Sequence, residues 1–404
     1  MDYRRHHPDM TYTDFGHPVF DCDFHLYEGP DAFTRYLPSA YEGLVRLAEI
    51  DGRTKMIIRG KVSDYIPNPT FSVVAEPGSA AEYFSGRNTE GKSYRDIVTP
   101  MKAIPEFTDR DARLALMDRM HIESIVNFPT LASLIEVNFM NDPVGTQVLV
   151  HAFNQWLHDE WGFDHEGRIF TTPVINLAVP EGAVAELEWV LDRGAKTVLV
   201  RPGPVAGFRG PRSPFLPDND PFWSAIEEAG IPVMMHASDS GYQRFANEWS
   251  GSEIEMRPFE QDLFGIVSQA HRPIIDTVLS AVCHGMLARH PGVRIASIEN
   301  GGVWMQTVVD ALLDGWGKMP HLYAEHPLDS LTRSLYVAPY WEEPLQPLID
   351  TIGLDHILFN SDWPHPEGLA DPVEYAVFAR DEVGLADDDV AKIMGANMEA
   401  LMGV

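Results

Sequence analysis

Cysteine is nearly absent from this chain. Cys22 and Cys283 are the only two cysteines in 404 residues, which excludes a disulfide framework and makes a reducing cytoplasm the simplest expected location. No apolar stretch follows the charged first residues, so we expect no signal peptide. The most apolar helical candidate, residues 274–287, contains Asp276 and His284 and is too short to span a bilayer. These absences predict a soluble, cytoplasmic protein that does not enter a membrane.

Basic residues are scarce as well. The chain has 60 acidic and 30 basic residues, a formal charge of −30, and no basic tract that would offset it. This balance opposes binding to nucleic acids and to anionic membranes, because both present phosphate charges. Apolar residues make up 45% of the chain, as in ordinary globular proteins. We therefore expect a small molecule, and neither nucleic acid nor membrane, as the partner.

Short apolar segments alternate with helical patterns along most of the chain. Strict alternation predicts an α/β fold with a parallel sheet, and eight units favour a closed (β/α)8 TIM barrel. An open doubly wound sheet is the alternative, and it is disfavoured because no glycine-rich phosphate fingerprint follows the first strand. The predicted strands cover residues 19–28, 124–129, 170–177, 197–201, 232–236, 293–299, 335–338 and 356–362.

The domain organisation follows from the same pattern. We interpret residues 1–18 as an amino-terminal extension and residues 19–404 as a single barrel domain. A long insertion after the first strand covers about residues 45–105, where prolines and glycines interrupt any helical periodicity. Because so long an irregular stretch inside a compact domain is usually functional, we predict a lid or an oligomer contact there. A mobile linker is the alternative.

The first predicted strand brings two candidate metal ligands to one side. Side chains alternate along a strand, so Asp23 and His25 share a face with Asp21, whereas Phe20 and Cys22 are expected on the opposite, outer face. In a barrel the carboxyl ends of all strands meet at one mouth. Histidines and carboxylates that end later strands would therefore converge with this pair, and such a set suits a divalent ion such as Zn²⁺, Mn²⁺ or Fe²⁺.

Three stretches resemble the amidohydrolase superfamily. They are Asp-Cys-Asp-Phe-His at residues 21–25, His236 at the end of the fifth strand, and Leu-Phe-Asn-Ser-Asp-Trp-Pro-His-Pro-Glu-Gly at residues 358–368. Over about residues 19–403 the chain is most similar to the branch typified by aminocarboxymuconate semialdehyde decarboxylase and by the resorcylate and carboxyvanillate decarboxylases. The resemblance implies a metal-dependent barrel enzyme, and it implies a homodimer or higher homo-oligomer, which apolar residues of the insertion also favour.

The resemblance also implies roles for particular residues. Asp23 and His25 would be metal ligands from the first strand and His236 a ligand from the fifth. Asp362 would be the ligand of the eighth strand or the acid/base beside the metal. One divalent ion is expected, with zinc as the first choice and manganese as the alternative.

One position departs from the pattern of the branch. Its decarboxylases carry a histidine at the end of the sixth strand, often followed by glycines, and that histidine helps to hold or protonate the substrate. Here Ser-Ile-Glu-Asn-Gly-Gly at residues 297–302 places Glu299 there. Non-oxidative decarboxylation of a small carboxylated aromatic or unsaturated compound remains the leading function. Hydrolysis of an amide, lactone or C–C bond by a metal-activated water is the alternative, and a non-catalytic ligand-binding barrel is a third.

Catalytic roles can be assigned for either reaction. Asp362 would deliver a proton to carbon in a decarboxylation or take one from water in a hydrolysis. Glu299 would act as an additional ligand or base, and His365 would contact the substrate or support Asp362. Arg201, at the end of the fourth strand, is the candidate for recognising a substrate carboxylate, with a surface ion pair or a contact at a helix carboxyl terminus as its alternative. The predicted substrate-binding residues are Arg201, Trp304 and Trp363.

Overall fold

Parallel strands form the centre of the molecule. The computed structural model describes residues 12–63, 65, 68–254, 256–257 and 263–404, so residues 1–11 of the predicted extension lie outside it. In the described part, the parallel strands are β1 (Phe20–Leu26), β2 (Ser124–Pro129), β3 (Ile169–Thr171), β4 (Val198–Leu199), β5 (Val233–His236), β6 (Ile295–Ile298) and β7 (Leu335–Val337). They pair in the orders β1-β2-β3 and β7-β6-β5-β4. The predicted α/β class is confirmed.

The two sheets are linked at their edges by single parallel bridges rather than by a continuous ladder. Val174, after β3, pairs with Leu199 of β4. The predicted eighth strand lies between β7 and β1, where Leu358 N donates to Val337 O at 3.0 Å and Cys22 N donates to Phe359 O at 3.0 Å. This segment therefore pairs on both sides without becoming a regular strand.

The predicted third strand is shorter than expected. It ends at Thr171 instead of reaching residue 177, because Pro173 has no N–H to donate to a ladder. The chain nevertheless continues beside its neighbour, since Leu199 N donates to Pro173 O at 2.8 Å.

The face assignment of Phe20 and Cys22 was wrong. The pairing of β1 with β2 shifts register between Asp21 and Phe24, and such a bulge resets the alternation of side chains. Phe20 and Cys22 therefore join a small core cluster with Met234 of β5. Met234 lies two residues before His236, so this cluster lies on the same side of β5 as the predicted ligand.

Helices cover the sheets. Helix α1 begins where the Asp109 side chain accepts from Ala112 N at 2.7 Å, as an N-cap does. Helices of at least eight residues in the described part are α1 (Arg110–Met120), α2 (Pro143–Trp161), α3 (Pro180–Leu191), α4 (Asp220–Ala229), α5 (Gln243–Ser250), α6 (Arg272–Cys283), α7 (Met305–Lys318), α8 (Pro327–Ser334), α9 (Leu345–Ile352) and α10 (Glu374–Asp381). Shorter ones are Ala81–Phe84, Tyr94–Ile97, Ile135–Asn138, Leu263–Gln269, Met286–Arg289, Asp387–Ala391, Lys392–Ala396, which is π-helical, and Asn397–Met402. No helix among the described residues is long and apolar enough to cross a bilayer.

The insertion between β1 and β2 has more structure than its sequence indicates. It contains two small antiparallel sheets, which leave it separate from the parallel ladders. One sheet comprises Val45–Ile50, Arg53–Ile58 and Lys61–Ser63, and the other comprises Val73–Ala75 and Pro100–Lys102. Its role as a lid or an oligomer contact remains a prediction.

Candidate metal centre

Two strand ends bring three predicted ligands into contact. Asp23 and His25 lie on β1 and His236 is the last residue of β5. The two Nε2 atoms of His25 and His236 are 3.0 Å apart, and Asp23 Oδ1 lies 3.2 Å from each of them. All three side chains are buried. Residues more than 200 positions apart in the chain thus present three ligand atoms to one point.

Asp362 and His365 approach the same point from the last strand segment. Asp362 Oδ1 lies 3.4 Å from His25 Nε2 and 2.6 Å from His365 Nδ1. The loop after Asp362 turns back tightly, because a Cβ at Gly368 would lie 2.3 Å from the backbone oxygen of Ser361. Only glycine permits this return, which places His365 beside Asp362.

Glu299 and Glu367 add further carboxylates. Glu299 Oε2 lies 3.2 Å from His236 Nε2. Carboxylate oxygens of Glu299, Asp362 and Glu367 all lie within 4.8 Å of one another. Glu367 was not singled out from the sequence, and its place within the 358–368 stretch was the available signal. Both Glu299 and Asp362 have positive φ, 53° and 56°, a conformation uncommon outside glycine and concentrated at functional sites.

The hydrogen positions at this cluster fit a bound cation. His236 Nδ1 lies 2.7 Å from Ala237 O and must carry the ring hydrogen, so Nε2 of the neutral ring presents a lone pair. That lone pair faces oxygens of Asp23 and Glu299, an arrangement that is repulsive unless a metal ion or a proton on Nε2 lies between them. Asp23 Oδ2 is buried and has no hydrogen-bond partner among the described residues. Imidazole nitrogen and carboxylate oxygen together suit zinc or manganese.

The buried ionisable groups of the cluster shift one another's pKa values. Burial opposes ionisation of Asp23, but the adjoining His236 and His25 outweigh it and hold the pKa of Asp23 below its ordinary value. Burial likewise opposes charging of His236, yet Asp23 and Glu299 raise its pKa. Burial raises the pKa of Glu299, and the charge of Asp362 adds to the effect. The site therefore favours positive charge near Asp23.

A chain of hydrogen bonds places one proton between Asp362 and His365. Thr130 Oγ1 donates its hydrogen to Leu26 O at 2.9 Å, so it must accept from His365 Nε2, which lies 3.3 Å away. A neutral His365 then has a lone pair on Nδ1, which faces Asp362 Oδ1 at 2.6 Å. This contact requires a proton, carried either by Asp362 or by a doubly protonated His365.

A cavity of about 1360 Å³ opens onto the cluster. His25, His236, Glu299 and His365 line its inner end, together with Glu367. Insertion residues form much of its outer wall. The cluster is therefore accessible to a small molecule, as a catalytic site at strand ends requires.

Comparison with known proteins agrees with this geometry. Residues 20–404 match the family model described as Amidohydrolase. A solved amidohydrolase from Mycobacterium avium subsp. paratuberculosis is 38% identical, with a TM-score of 0.91, and the match covers 96% of this chain and 98% of that one. This chain belongs to the amidohydrolase family. No match was found among curated protein sequences.

More distant amidohydrolase structures share the fold. A dihydroxybenzoic acid decarboxylase from a Polaromonas species, solved with manganese and 2-nitroresorcinol, is 18% identical with a TM-score of 0.55, over 80% of this chain and 93% of that one. The 5-carboxyvanillate decarboxylase of Novosphingobium aromaticivorans, solved with manganese and a nitrobenzoic acid, is 14% identical with a TM-score of 0.60, over 98% and 100% of the two chains.

A buried arginine, Arg113, connects the segments that carry the candidate metal ligands, and sequence reasoning missed it. Arg113 of α1 is fully buried, donates from Nη2 to His25 O at 2.8 Å and donates from Nε to Glu106 O at 2.7 Å. Its guanidinium lies 5.4 Å from the ring centroid of Phe24 and 4.9 Å from that of Trp363. Burial lowers the pKa of Arg113 to about 9. Arg113 therefore joins the two segments that carry His25 and Asp362.

The three predicted substrate-binding residues have structural partners. Trp363 is fully buried and stacks on Phe24, because its ring points away from the cavity into the Arg113 contact. Trp304 is 2% exposed and its Nε1 donates to Gly301 O at 2.7 Å. Neither ring is among the residues that line the cavity, and direct substrate contact by Trp304 and Trp363 stays a prediction.

Arg201 does line the cavity, but much of its guanidinium is already engaged. Its Nε forms a buried ion pair of 2.5 Å with Glu136 Oε2, and its Nη2 donates to Pro204 O at 2.6 Å. Its Nη1 lies 3.3 Å from Asp239 O. The ion pair with Glu136 is buried, whereas the alternative interpretation was a pair on the surface. Recognition of a substrate carboxylate by its remaining N–H groups stays a prediction.

Proposed function

We propose that this amidohydrolase is a metal-dependent carboxy-lyase that decarboxylates carboxylated aromatic or unsaturated compounds without oxidation. The observation that carries the proposal is the 2.6 Å contact between Asp362 Oδ1 and His365 Nδ1, which requires a proton and lies beside the ligand cluster at the inner end of the cavity. Decarboxylation needs this proton, because the carbon that loses CO₂ must gain hydrogen. Relatives with the same fold are named as decarboxylases of carboxylated phenols.

Each proposed step uses a group of this chain. Asp362 delivers a proton to the carbon that bears the carboxylate, and a C–H bond forms. The bond to the carboxylate then breaks, CO₂ leaves, and the released electron pair returns to the ring or alkene. His365, bonded to Asp362, supplies the next proton and is itself recharged from solvent in the cavity. Glu299, whose Oε2 lies 3.2 Å from His236 Nε2, would limit the directions from which the substrate carboxylate approaches His236.

Asp23, His25 and His236 would hold the divalent ion, with Glu299 as the fourth side chain of the same ligand group. Asp362 Oδ1 lies beside them, 3.4 Å from His25 Nε2. When bound, the ion supplies Lewis acidity that offsets the negative charge of the substrate. Manganese is supported by the two decarboxylase relatives solved with it. Zinc, the first choice from the sequence, fits the same donor atoms and remains a prediction.

The finer form of the fold is part of this proposal. The edge bridges Val174–Leu199, Val337–Ile357 and Phe24–Trp363 support a closed (β/α)8 barrel with eight segments in one ring. The insertion would then lie over the mouth as a lid or an oligomer contact. The homo-oligomeric state and the cytoplasmic location remain predictions.

Hydrolysis is the second candidate, and the position of Glu299 favours it. A carboxylate rather than an imidazole faces His236, at 3.2 Å. Such a group accepts a proton from an attacking water, as a general base must. The substrate would then be an amide, lactone or activated C–C bond.

The two reactions separate in one experiment. The protein, loaded with manganese or zinc, is incubated in D₂O with a panel of carboxylated phenols and, separately, with aryl amides, lactones and compounds with an activated C–C bond. We expect metal-dependent CO₂ release and one deuterium on the carbon that lost the carboxylate. Metal-dependent cleavage of an amide, lactone or C–C bond without CO₂ release would instead establish the hydrolase. If the protein bound no metal and converted neither class of compound, the remaining interpretation would be a non-catalytic ligand-binding barrel.

A further inference from the structure

The segment that carries Asp362 and His365 has little regular structure of its own. We call residues 362–370 the catalytic loop; they form neither a helix nor a regular strand, so their backbone oxygens need partners from elsewhere. Two of those partners belong to the insertion. Pro366 O accepts from Ala80 N at 2.7 Å, and His365 O accepts from Gly78 N at 3.3 Å. The insertion is therefore bonded to the backbone of His365 and of the residue after it.

Side chains extend this attachment to Glu367. Tyr94, also on the insertion, has its hydroxyl 3.5 Å from Glu367 Oε2. Trp341 Nε1 donates to Glu367 O at 3.1 Å, and the ring centroid of Trp341 lies 5.7 Å from the guanidinium of Arg87, a further insertion residue. Three successive residues of the catalytic loop, 365–367, are thus bonded to the insertion or to a side chain that packs against it.

Gly78 lies closer to the catalytic loop than any other residue type would allow. A Cβ at Gly78 would lie 2.8 Å from both the backbone nitrogen and the Cβ of Ala370, closer than packed atoms come without displacement. The φ of Gly78 is 72°, a conformation that glycine adopts most readily. The glycine therefore permits the close backbone contact between the insertion and the catalytic loop.

The insertion is attached on the β1 side of the site as well. Phe71 of the insertion stacks on Tyr27, with ring centroids 4.3 Å apart and planes 9° from parallel. Both rings are buried. Tyr27 lies two residues after His25, and its ring centroid is 6.0 Å from that of His365. The insertion thus contacts two segments of the centre, and both contacts lie beside His365.

We propose that the insertion positions the proton-donating pair: Gly78 and Ala80 hold the catalytic loop so that His365 stays bonded to Asp362. That bond is 2.6 Å long, and a misplacement of about 1 Å at such a contact costs on the order of 100-fold in rate. The role of the pair rests on the proposed function, whereas the docking of the insertion does not. Gly78 and Ala80 are not among the residues that line the cavity, so they are positioning residues that do not contact the substrate.

Gly78→Ala tests the proposal, with Gly86→Ala as its matched control. Both glycines belong to the insertion and have nearly the same φ, 72° and 74°, so alanine is about equally strained at either position. A Cβ at Gly86 meets no atom within 4 Å, whereas one at Gly78 meets Ala370. In metal-loaded protein we expect Gly78→Ala to lower kcat for CO₂ release by about 10- to 100-fold. KM should stay nearly unchanged, and the pH profile of kcat should shift because His365 is displaced from Asp362. Gly86→Ala should match the wild type in all three.

Hydrogen exchange tests the docking without catalysis. In the wild type, residue-resolved mass spectrometry should find the amides of Gly78 and Ala80 protected, because both are bonded to the catalytic loop. Gly78→Ala should accelerate exchange in residues 361–369 by at least about tenfold, and Gly86→Ala should not. Elemental analysis should find the same metal content in all three proteins, since none of these contacts involves Asp23 or His236.

The outcomes separate this inference from the proposed function. If the wild type releases CO₂ and the two alanine variants have equal kcat and equal pH profiles, the inference is overturned and decarboxylation stands. If residues 361–369 exchange faster only in Gly78→Ala, in a protein that releases no CO₂, the docking is supported and decarboxylation is rejected.

Two further results also decide. Loss of metal in Gly78→Ala alone would overturn the inference, because the segment would then support the metal ligands rather than His365. If Gly78→Ala does not fold, the wild-type amides give the answer. Protection of Gly78 and Ala80 supports the docking, and exchange at the rate of unbonded amides overturns it.

Discussion

The two ends of the cavity differ in every physical respect. At the inner end, side chains come from parallel strand ends, are buried, and present carboxylates and imidazoles to one point. At the outer wall, they come from small antiparallel sheets and short helices, are partly exposed, and present rings and cations. The strand ends fix a reaction, whereas the cavity-facing side chains of the insertion are free to vary with the substrate. Substitutions at the two ends should therefore have separable effects.

The largest effect is expected at the inner end, from His236→Ala. Removing one imidazole should weaken metal binding by at least about 100-fold, beyond the 10–100-fold loss typical of groups that only orient ligands. Elemental analysis should find about one ion per chain in the wild type and almost none in the variant. His158→Ala, a partly exposed histidine of α2, should keep the ion. Full metal content in His236→Ala would show that His236 is not a ligand and would contradict the assignment of the inner end as a metal site.

Asp362→Asn should separate chemistry from metal binding. The amide keeps an oxygen near His25 but delivers no proton to carbon, so CO₂ release should fall by about 10²–10⁴-fold. Metal content should fall far less, which elemental analysis of the same samples measures. Unchanged CO₂ release would show that a group other than Asp362 donates the proton.

Arg113→Met should lower the stability of the fold and weaken metal binding at the inner end of the cavity. The substitution leaves His25 O and Glu106 O buried without donors, at about 1–3 kcal/mol for each group. We expect about 3 kcal/mol less stability in urea unfolding, and weaker metal binding because the His25 segment is no longer fastened. Arg119→Met on the same helix, whose side chain is 30% exposed, should change stability by about 1 kcal/mol or less. Equal effects of the two variants would mean that Arg113 has no special role.

Glu28 predicts that the stability of the fold depends on pH. Burial raises its pKa to about 8, although its Oε1 accepts from Leu131 N at 2.6 Å. Because the folded pKa lies above the ordinary value of 4.5, its contribution to stability is complete below that value and is lost as pH rises through 8. Wild-type stability should therefore fall from pH 6 to 9 relative to Glu28→Gln, by up to about 1.4 kcal/mol per pH unit below 8. Parallel urea-unfolding curves at each pH for the two proteins would contradict this.

The smallest effect is expected at the outer wall. Phe84→Ala removes part of an exposed ring, so KM should rise a few-fold while kcat stays unchanged. Steady-state kinetics with the best substrate of the panel provides both constants. Phe208→Ala, at a 71% exposed ring outside the cavity lining, is the matched control. A fall in kcat in Phe84→Ala would show that the two ends are not separable.

The inner end was predictable where strand pattern and residue chemistry coincide. Asp23, His25 and His236 end apolar segments, and the rule that parallel strands meet at one edge brings them together. The outer wall was not predictable, because its antiparallel pairing joins segments that have little periodicity in sequence. Only the folded cavity shows which of its side chains share a surface.

Individual errors have individual physical causes. Strict alternation misplaced Phe20 and Cys22, since one bulge reverses the faces of a strand and leaves no mark in composition. Arg113 was missed because a charged helix residue is usually exposed. Its partners are two backbone carbonyls, the Asn127 side chain and aromatic rings.

The two cysteines have a practical consequence. Cys22 lies in β1 between two buried aspartates and is fully buried, whereas Cys283 at the end of α6 is exposed. A thiol reagent should therefore modify one site at once in the native protein and the second only when β1 opens. The rate of the slow labelling phase therefore measures how often the strand that carries Asp23 and His25 opens. If manganese or zinc slows this phase, the change reports that the metal centre is occupied, without any substrate.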